Sequence, residues 1–430
     1  MLENFFKLEK NNTNLKTEIL AGITTFMTMA YILIVNPIIL SQAGMDSGAV
    51  FTATAVSAII ATLLIGILAK LPFAAAPGMG LNAFLAITVC KIMGYSWQFA
   101  MTAVFLEGII FILLTIFNVR EAIINSLPMN IKRAISVGIG IFIALLGLDN
   151  AKIVVHNEGG ALLSLGDLKS SVVILAIIGI IITSILVARK VKGALLIGIL
   201  ITTLIGIPMG ITKLPNSILS TPPSISKTFM AFEWTHVFTK DMAIVLFTLL
   251  FMDMFDTIGT LVGVATKANM LDENGNVPNA KQALLADAIG TTVGACLGTS
   301  ALTAYVESAS GVAEGGKTGL TAVSTAFMFI IALFMSPIFL MIPSAATAPA
   351  LVLVGLFMLE PIKNIDLTHF AEAIPAFITL IAIPLTYSIA DGIAFGMITY
   401  VIINFTTGNK KNIKLSTYII AALFLIKFFI

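Results

Sequence analysis

The segment LFMDMFDTIGTLVG, residues 250–263, places Asp253, Asp256, Thr257 and Thr260 at i, i+3, i+4 and i+7 of an otherwise apolar run. In a helix these four positions share one face. A second polar set, Glu307 and Glu314, interrupts the apolar sequence at TAYVESASGVAEGG, residues 303–316. Holding a carboxylate near the centre of a bilayer costs at least about 2.5 kcal/mol, so an intramembrane Asp or Glu usually faces a cavity and marks an ion, proton or substrate path. Asp256 and Glu307 are the first candidates for that chemistry. Asp253 is open between such a path and a bond to a neighbouring helix. Asp287 and Glu107 read as protonated residues joining helices, and Glu314, beside Lys317, as part of a gate or loop.

These carboxylates need elements that hold them in lipid. Hydrophobic residues make up 58% of the 430-residue chain and charged residues 11%, and the mean hydropathy is +1.04. A charge-poor apolar run of about 18 residues crosses a bilayer as a helix, and such runs recur throughout. The fold class expected is therefore an all-α polytopic membrane protein. Spans are read at 19–41, 48–69, 76–90, 98–117, 135–148, 172–188 and 193–209, then at 242–266, 282–298, 304–315, 320–342, 347–359, 370–389 and 392–405. The apolar tail 416–430 reads as a partial or interfacial helix. A net charge of +2 without a basic, aromatic-interleaved run gives no sign of a nucleic-acid partner. Cys90 and Cys296 lie in apolar sequence and read as core residues. The N-terminal stretch is polar and mixed in charge, unlike a cleaved signal peptide, so the first span is expected to be retained.

The polar stretch at 211–236, ITKLPNSILSTPPSISKTFMAFEWTH, divides the chain. The expected organisation is a first repeat at 1–210 (spans 1–7), an extracytoplasmic linker at 211–240, a second repeat at 241–408 (spans 8–14) and a cytoplasmic segment with a short tail at 409–430. With the N-terminus inside, most of the 24 Lys and Arg residues, among them Lys132, Arg133, Arg189, Lys190 and Lys192, fall on cytoplasmic segments. Asn216 is then expected outside and Asn274 inside. Seven spans in each half would orient the halves oppositely, as an inverted repeat. The third span of each half is short and broken, by Pro77, Gly78 and Gly80 in the first and by Gly311, Gly315 and Gly316 in the second. Paired broken helices point to a transporter's substrate site, because freed backbone groups are tolerated only where protein or a wet cavity satisfies them. The first span, AGITTFMTMAYILIVNP, echoes the polar face of the eighth with Thr24, Thr28 and Tyr31.

From AGITTFMTMAYILIVNP through PFAAAPGMGLNAF and FDTIGTLVGVA to YVESASGVAEGGKTGLTAV, the sequence resembles the nucleobase-cation symporter-2 superfamily of nucleobase and ascorbate transporters, and within it the azaguanine-type branch of hypoxanthine and guanine permeases. The resemblance implies about 14 spans in two inverted seven-span repeats, arranged as core and gate domains, with a short extended segment opening each broken span. It carries substrate binding onto Asn82, Ala83 and Phe84 of the third span, Thr25 of the first, Asp256 and Thr260 of the eighth, and Glu307 and Ser308 of the tenth, with Asp256 and Glu307 as the proton-coupling pair. Thr260 stands where the uracil branch often has histidine, which argues against uracil.

An ionised Glu307 is an acceptor only and would take N1–H of hypoxanthine, or N1–H and N2–H of guanine. Asn82 would read the imidazole edge, and Phe84 or Tyr305 would stack on the purine. The expected function is import of purine bases by proton symport, with no cofactor and no metal. Na+ as coupling ion, and a homodimer in the lipid bilayer, remain open. The alternatives are a superfamily permease for xanthine, uracil or adenine, or a sulfate-type anion permease, whose substrate two carboxylates would repel. A channel would not need paired broken helices, and an intramembrane aspartyl protease would need a GxGD sequence, which is absent.

Overall fold

A computed structural model describes residues 2–117, 128–155, 163–215, 217–267, 270, 277–409 and 413–429. Arg120, Lys410 and Lys411, which the expected topology places in the cytoplasm, and the topology markers Asn216 and Asn274 lie outside them. In chain order the elements are α1 (Leu2–Phe6), α2 (Leu15–Met29), α3 (Ile32–Ser41), α4 (Ser47–Leu64), β1 (Ala75–Pro77), α5 (Met79–Ala83), α6 (Trp97–Ile116), α7 (Met129–Asn150), β2 (Val154–Val155), β3 (Ser164–Leu165), α8 (Ser171–Ala188), α9 (Ala194–Gly206), α10 (Lys240–Lys267), α11 (Ala280–Leu297), β4 (Leu302–Ala304), α12 (Ser308–Ala313), α13 (Gly319–Leu333), α14 (Ser336–Leu340), α15 (Ser344–Met358), α16 (Phe370–Leu385), α17 (Ile389–Thr406) and α18 (Leu415–Phe429). Wider π-type turns extend α4 over Ile65–Ala69 and α5 over Phe84–Ile92.

Among the described residues, six helical stretches are long and apolar enough to cross a membrane unaided: Leu15–Ser41, Ser47–Ala69, Trp97–Ile116, Met129–Asn150, Ser171–Ala188 and Ser344–Asn364. Met79–Ile92, Ala194–Gly206, Gly319–Leu333, Phe370–Leu385 and Asp391–Thr406 are shorter apolar helices. Two segments read as continuous are interrupted. The first bends at Ala30 and Tyr31, where Ile34 N–H and Val35 N–H both donate to Tyr31 O, and Pro37 supplies no N–H of its own. The eleventh breaks at Phe334 and Met335, and Pro337 opens the short α14.

Helix starts follow local chemistry. The side chains of Asn14, Asp46, Ser96 and Ser388 accept N–H groups of the first turns of α2, α4, α6 and α17. Gly298, at φ 101°, closes α11 in the left-handed region that favours glycine.

Two compact units can be distinguished, and each draws on both halves of the chain. Unit 1 comprises Met1–Phe117 and Asp167–Ala350; unit 2 comprises Asn118–Gly166 and Leu351–Ile430. In unit 1, α13 runs against α2 and α4. The approach is so close that a methyl group on Gly22 would meet Thr321 O at 2.6 Å, and one on Gly319 would collide with Gly66 O. Small residues allow such contact where lipid supplies no hydrophobic drive between helices. Beneath the broken segments lies an apolar cluster that includes Ile65, Phe73, Leu261, Leu284 and Leu302. In unit 2, α7 packs on α16, which also packs on α17.

Candidate functional site

The two broken segments meet. β1 and β4 pair antiparallel, with Ala75 opposite Ala304, Ala76 opposite Thr303 and Pro77 opposite Leu302. Flanking bonds extend the ladder, from Tyr305 N–H to Ala74 O at 2.9 Å and from Gly78 N–H to Ala301 O at 3.0 Å. Pro77 keeps the residue before it extended, and the alanines at 74–76 let the strands lie inside the fold, fully buried. Each strand thus satisfies the backbone groups of the other, as a non-helical segment shielded from lipid requires. The chain then turns helical on both sides, at Gly78 into α5 and at Glu307 into α12.

Glu307 sits at the start of α12 and is half-buried. Its Oε1 accepts the Tyr31 hydroxyl at 2.6 Å. The Tyr31 ring is fully buried at the bend between α2 and α3. One turn earlier, Thr28 Oγ1 donates to Thr25 O at 2.8 Å and stands 3.4 Å from Glu307 O. Asp256, half-buried on α10, comes from the other side: a methyl on Gly78 would stand 3.5 Å from Asp256 Oδ2. Glu307 and Asp253 both lie within electrostatic reach of Asp256. The described residues offer no hydrogen bond to the Asp256 carboxyl.

The polar face of α10 divides in two. Asp253 and Thr257 turn into protein, where Thr257 Oγ1 lies 3.0 Å from Asp253 Oδ1, 3.1 Å from Asp287 Oδ2 and 3.1 Å from Thr303 Oγ1. That cluster ties α10 to α11 and to β4. Thr260 is buried one turn beyond Asp256. Asn82, fully buried, takes the Ser300 hydroxyl on its Oδ1, and its Nδ2 has no partner among the described residues. Asn82, expected to read the imidazole edge, therefore presents a free donor. Ser308 Oγ accepts Ala74 N–H at 3.0 Å and so braces the strand pair. Thr25 faces α12 at close range, since a methyl on Gly311 would collide with its Oγ1. Ala83 and Phe84 are buried on the helix that follows β1. Tyr305 is buried and donates its hydroxyl to Pro77 O at 2.6 Å. Asp256, Glu307, Tyr31 and Gly78 converge, while Thr25 and Ser308 serve the frame around them.

Residues 16–425 match the sequence model of a permease family. The chain belongs to that permease family. It is the nucleobase-cation symporter-2 group that the motifs resemble. This permease is 43% identical over 439 residues to the guanine/hypoxanthine permease PbuG of Bacillus subtilis, covering 99% of each chain. It is 42% identical over 427 residues to the adenine permease AdeP of Escherichia coli, covering 99% of this chain and 96% of that one. Among solved structures, the transmembrane domain of a cyanobacterial bicarbonate transporter, BicA, shares the fold with a TM-score of 0.67 at 15% identity, over 89% of this chain and 97% of that one.

The permease also contains a buried carboxylate that the sequence reading missed. Glu18, in the first turn of α2, is fully buried. Its Oε1 accepts Lys317 N–H at 3.0 Å, and its Oε2 accepts N–H and Oγ–H from both Thr318 and Thr321 at 2.6–3.3 Å. A carboxylate from one helix thus caps the start of another, α13, where backbone N–H groups have no helical partner. The signal available was TGLT after the broken segment, two threonines three apart at a helix start. Nothing in the sequence pairs them with a glutamate some 300 residues away. Glu314, read as gate or loop, pairs with Lys192 Nζ at 2.5 Å, and Lys317 Nζ reaches Asn12 O at 3.2 Å.

Proposed function

We propose that this permease is a secondary active transporter that imports hypoxanthine and guanine across a prokaryotic cytoplasmic membrane by proton symport with alternating access. The observation that carries the reading is the meeting of Glu307 and Asp256 at the paired ends of two broken segments, inside one compact unit. Glu307, anchored by Tyr31, accepts N1–H of the purine. Asp256 is the proton carrier: protonated, it donates to a purine acceptor, so base and proton bind together more favourably than either alone. That difference is the coupling free energy a symporter needs. Asn82 Nδ2 is a second donor beside the strands.

The finer architecture belongs to the same proposal: about 14 spans in two inverted repeats, the N-terminus in the cytoplasm, and core and gate domains. Antiparallel pairing of the third segment of each half supports it, as does the distribution of Lys and Arg. The likeness to a bicarbonate transporter concerns the fold alone, and two facing carboxylates disfavour an anionic substrate.

Adenine is the second reading, favoured by the 42% identity to AdeP. Adenine lacks the N1 proton, so an ionised Glu307 would be buried against a lone pair, at a cost of several kcal/mol. Uptake of radiolabelled hypoxanthine, in cells lacking their own purine permeases, tests the choice with unlabelled hypoxanthine, guanine, adenine, xanthine and uracil as competitors. Inhibition by hypoxanthine and guanine alone is expected. Cells that take up labelled adenine and no labelled hypoxanthine would replace the proposal with its alternative.

A further inference from the structure

The Tyr31–Glu307 pair bears on which purine edge the site prefers. An ionised carboxylate has two oxygens, and two parallel N–H donors use both. Tyr31 already holds Oε1 at 2.6 Å, within the short range of an O–H bond to a charged acceptor. Its ring is fully buried, away from solvent that might receive the hydroxyl instead. The backbone fixes it there, because the chain bends at Tyr31 and both Ile34 N–H and Val35 N–H close on its carbonyl, at 3.0 and 2.9 Å. Thr28 stands against the backbone of Glu307 from the same helix face. The first span therefore positions both the main chain and the side chain of Glu307.

We propose that Tyr31 is a specificity-determining positioning residue: its hydroxyl takes up part of the accepting capacity of Glu307 Oε1, so that N1–H of the base meets Oε2 and a second N–H must share Oε1 with Tyr31. The inference rests on the purine reading above. Hypoxanthine offers one N–H at N1 and needs only Oε2. Guanine adds N2–H, whose natural partner is the oxygen that Tyr31 occupies. Wild-type protein thus gains less from the extra amine of guanine than it would with Oε1 unshared.

Removing the hydroxyl separates the two bases. With Tyr31→Phe, Oε1 receives N2–H when guanine binds and is left buried without a donor when hypoxanthine binds. One hydrogen bond to a charged group then favours guanine over hypoxanthine by on the order of tenfold relative to wild type. The experiment measures, in the same membranes, the concentrations of unlabelled guanine and hypoxanthine that halve binding of labelled hypoxanthine, for wild type and Tyr31→Phe. The ratio is internal to each sample, so the amount of folded protein does not enter it, and Tyr31→Met provides the same comparison should the phenylalanine variant be poorly inserted. A shift of about tenfold toward guanine is expected from the loss of one such bond. An unchanged ratio in a variant that still binds both purines would overturn the role of Tyr31 alone. Wild-type protein that binds neither purine would overturn the purine reading and this inference together.

Discussion

Replacing Glu18 should loosen the permease more than any comparable change at its surface. Glu18 Oε2 takes four hydrogen bonds, from the N–H and Oγ–H of Thr318 and Thr321, while Oε1 takes Lys317 N–H at 3.0 Å. Glutamine has one acceptor oxygen. With that oxygen in the Oε2 position, its NH2 group faces Lys317 N–H, donor against donor, and the other four bonds lose their charge assistance. Each hydrogen bond to a charged group contributes about 1.5–3 kcal/mol and a neutral one about 1; the four bonds share one oxygen and do not add, so the lost Lys317 bond dominates and Glu18→Gln should cost about 2–3 kcal/mol. Glu18→Ala strips every acceptor from buried N–H groups at the start of α13, and about 3–5 kcal/mol is expected. Unfolding of the purified protein in detergent, followed by tryptophan fluorescence, measures both. The order wild type, then Gln, then Ala is predicted; a Gln variant as stable as wild type would refute the charged cap.

Asp256→Asn, a mimic of the neutral carboxyl, should preserve exchange of labelled hypoxanthine across proteoliposome membranes and abolish accumulation driven by an imposed pH gradient; accumulation that persists would move the proton site to Glu307 or Asp253. In the loop between α3 and α4, a hydrogen bond from Lys227 Nζ at 2.6 Å holds the Asp46 carboxyl below its usual range. Its stabilisation is complete above the ordinary carboxylate value of about 4 and is lost as pH falls through the lower folded value. Both partners are partly exposed, so the contribution is under about 1 kcal/mol. Asp46→Asn should therefore unfold slightly earlier than wild type at pH 7, by a gap that narrows as pH falls below about 4; a gap that stays constant through that fall would contradict the pairing.

The sequence reveals what obeys a local rule. Apolar run length marks the helices, and the proline and glycine punctuation of 71–80 and 311–316 marks the two breaks. Glu307 and Asp256 stand out because a carboxylate in apolar sequence is costly wherever it lies. Side-chain direction is less legible. Asp253 and Asp256 are three residues apart on one helix, yet one joins Thr257 and Asp287 while the other lies beside Gly78. The choice between those roles depends on which helix packs on each side. The partners of Glu18 and Tyr31 are long-range, each nearly 300 residues away, and no local pattern encodes them. The bends at Tyr31 and Met335 escape hydropathy because apolar content continues through both.

The central claim is that Glu307 takes the N–H edge of a purine. Equilibrium binding of labelled hypoxanthine to purified wild-type protein and to Glu307→Gln tests it without the complication of coupling. The account predicts saturable binding to wild type, displaced by guanine and not by adenine, and a loss of at least about tenfold in affinity in the glutamine variant, the worth of one charge-assisted bond. Equal affinity for hypoxanthine and guanine in wild type and Glu307→Gln would contradict it and remove Glu307 from the site.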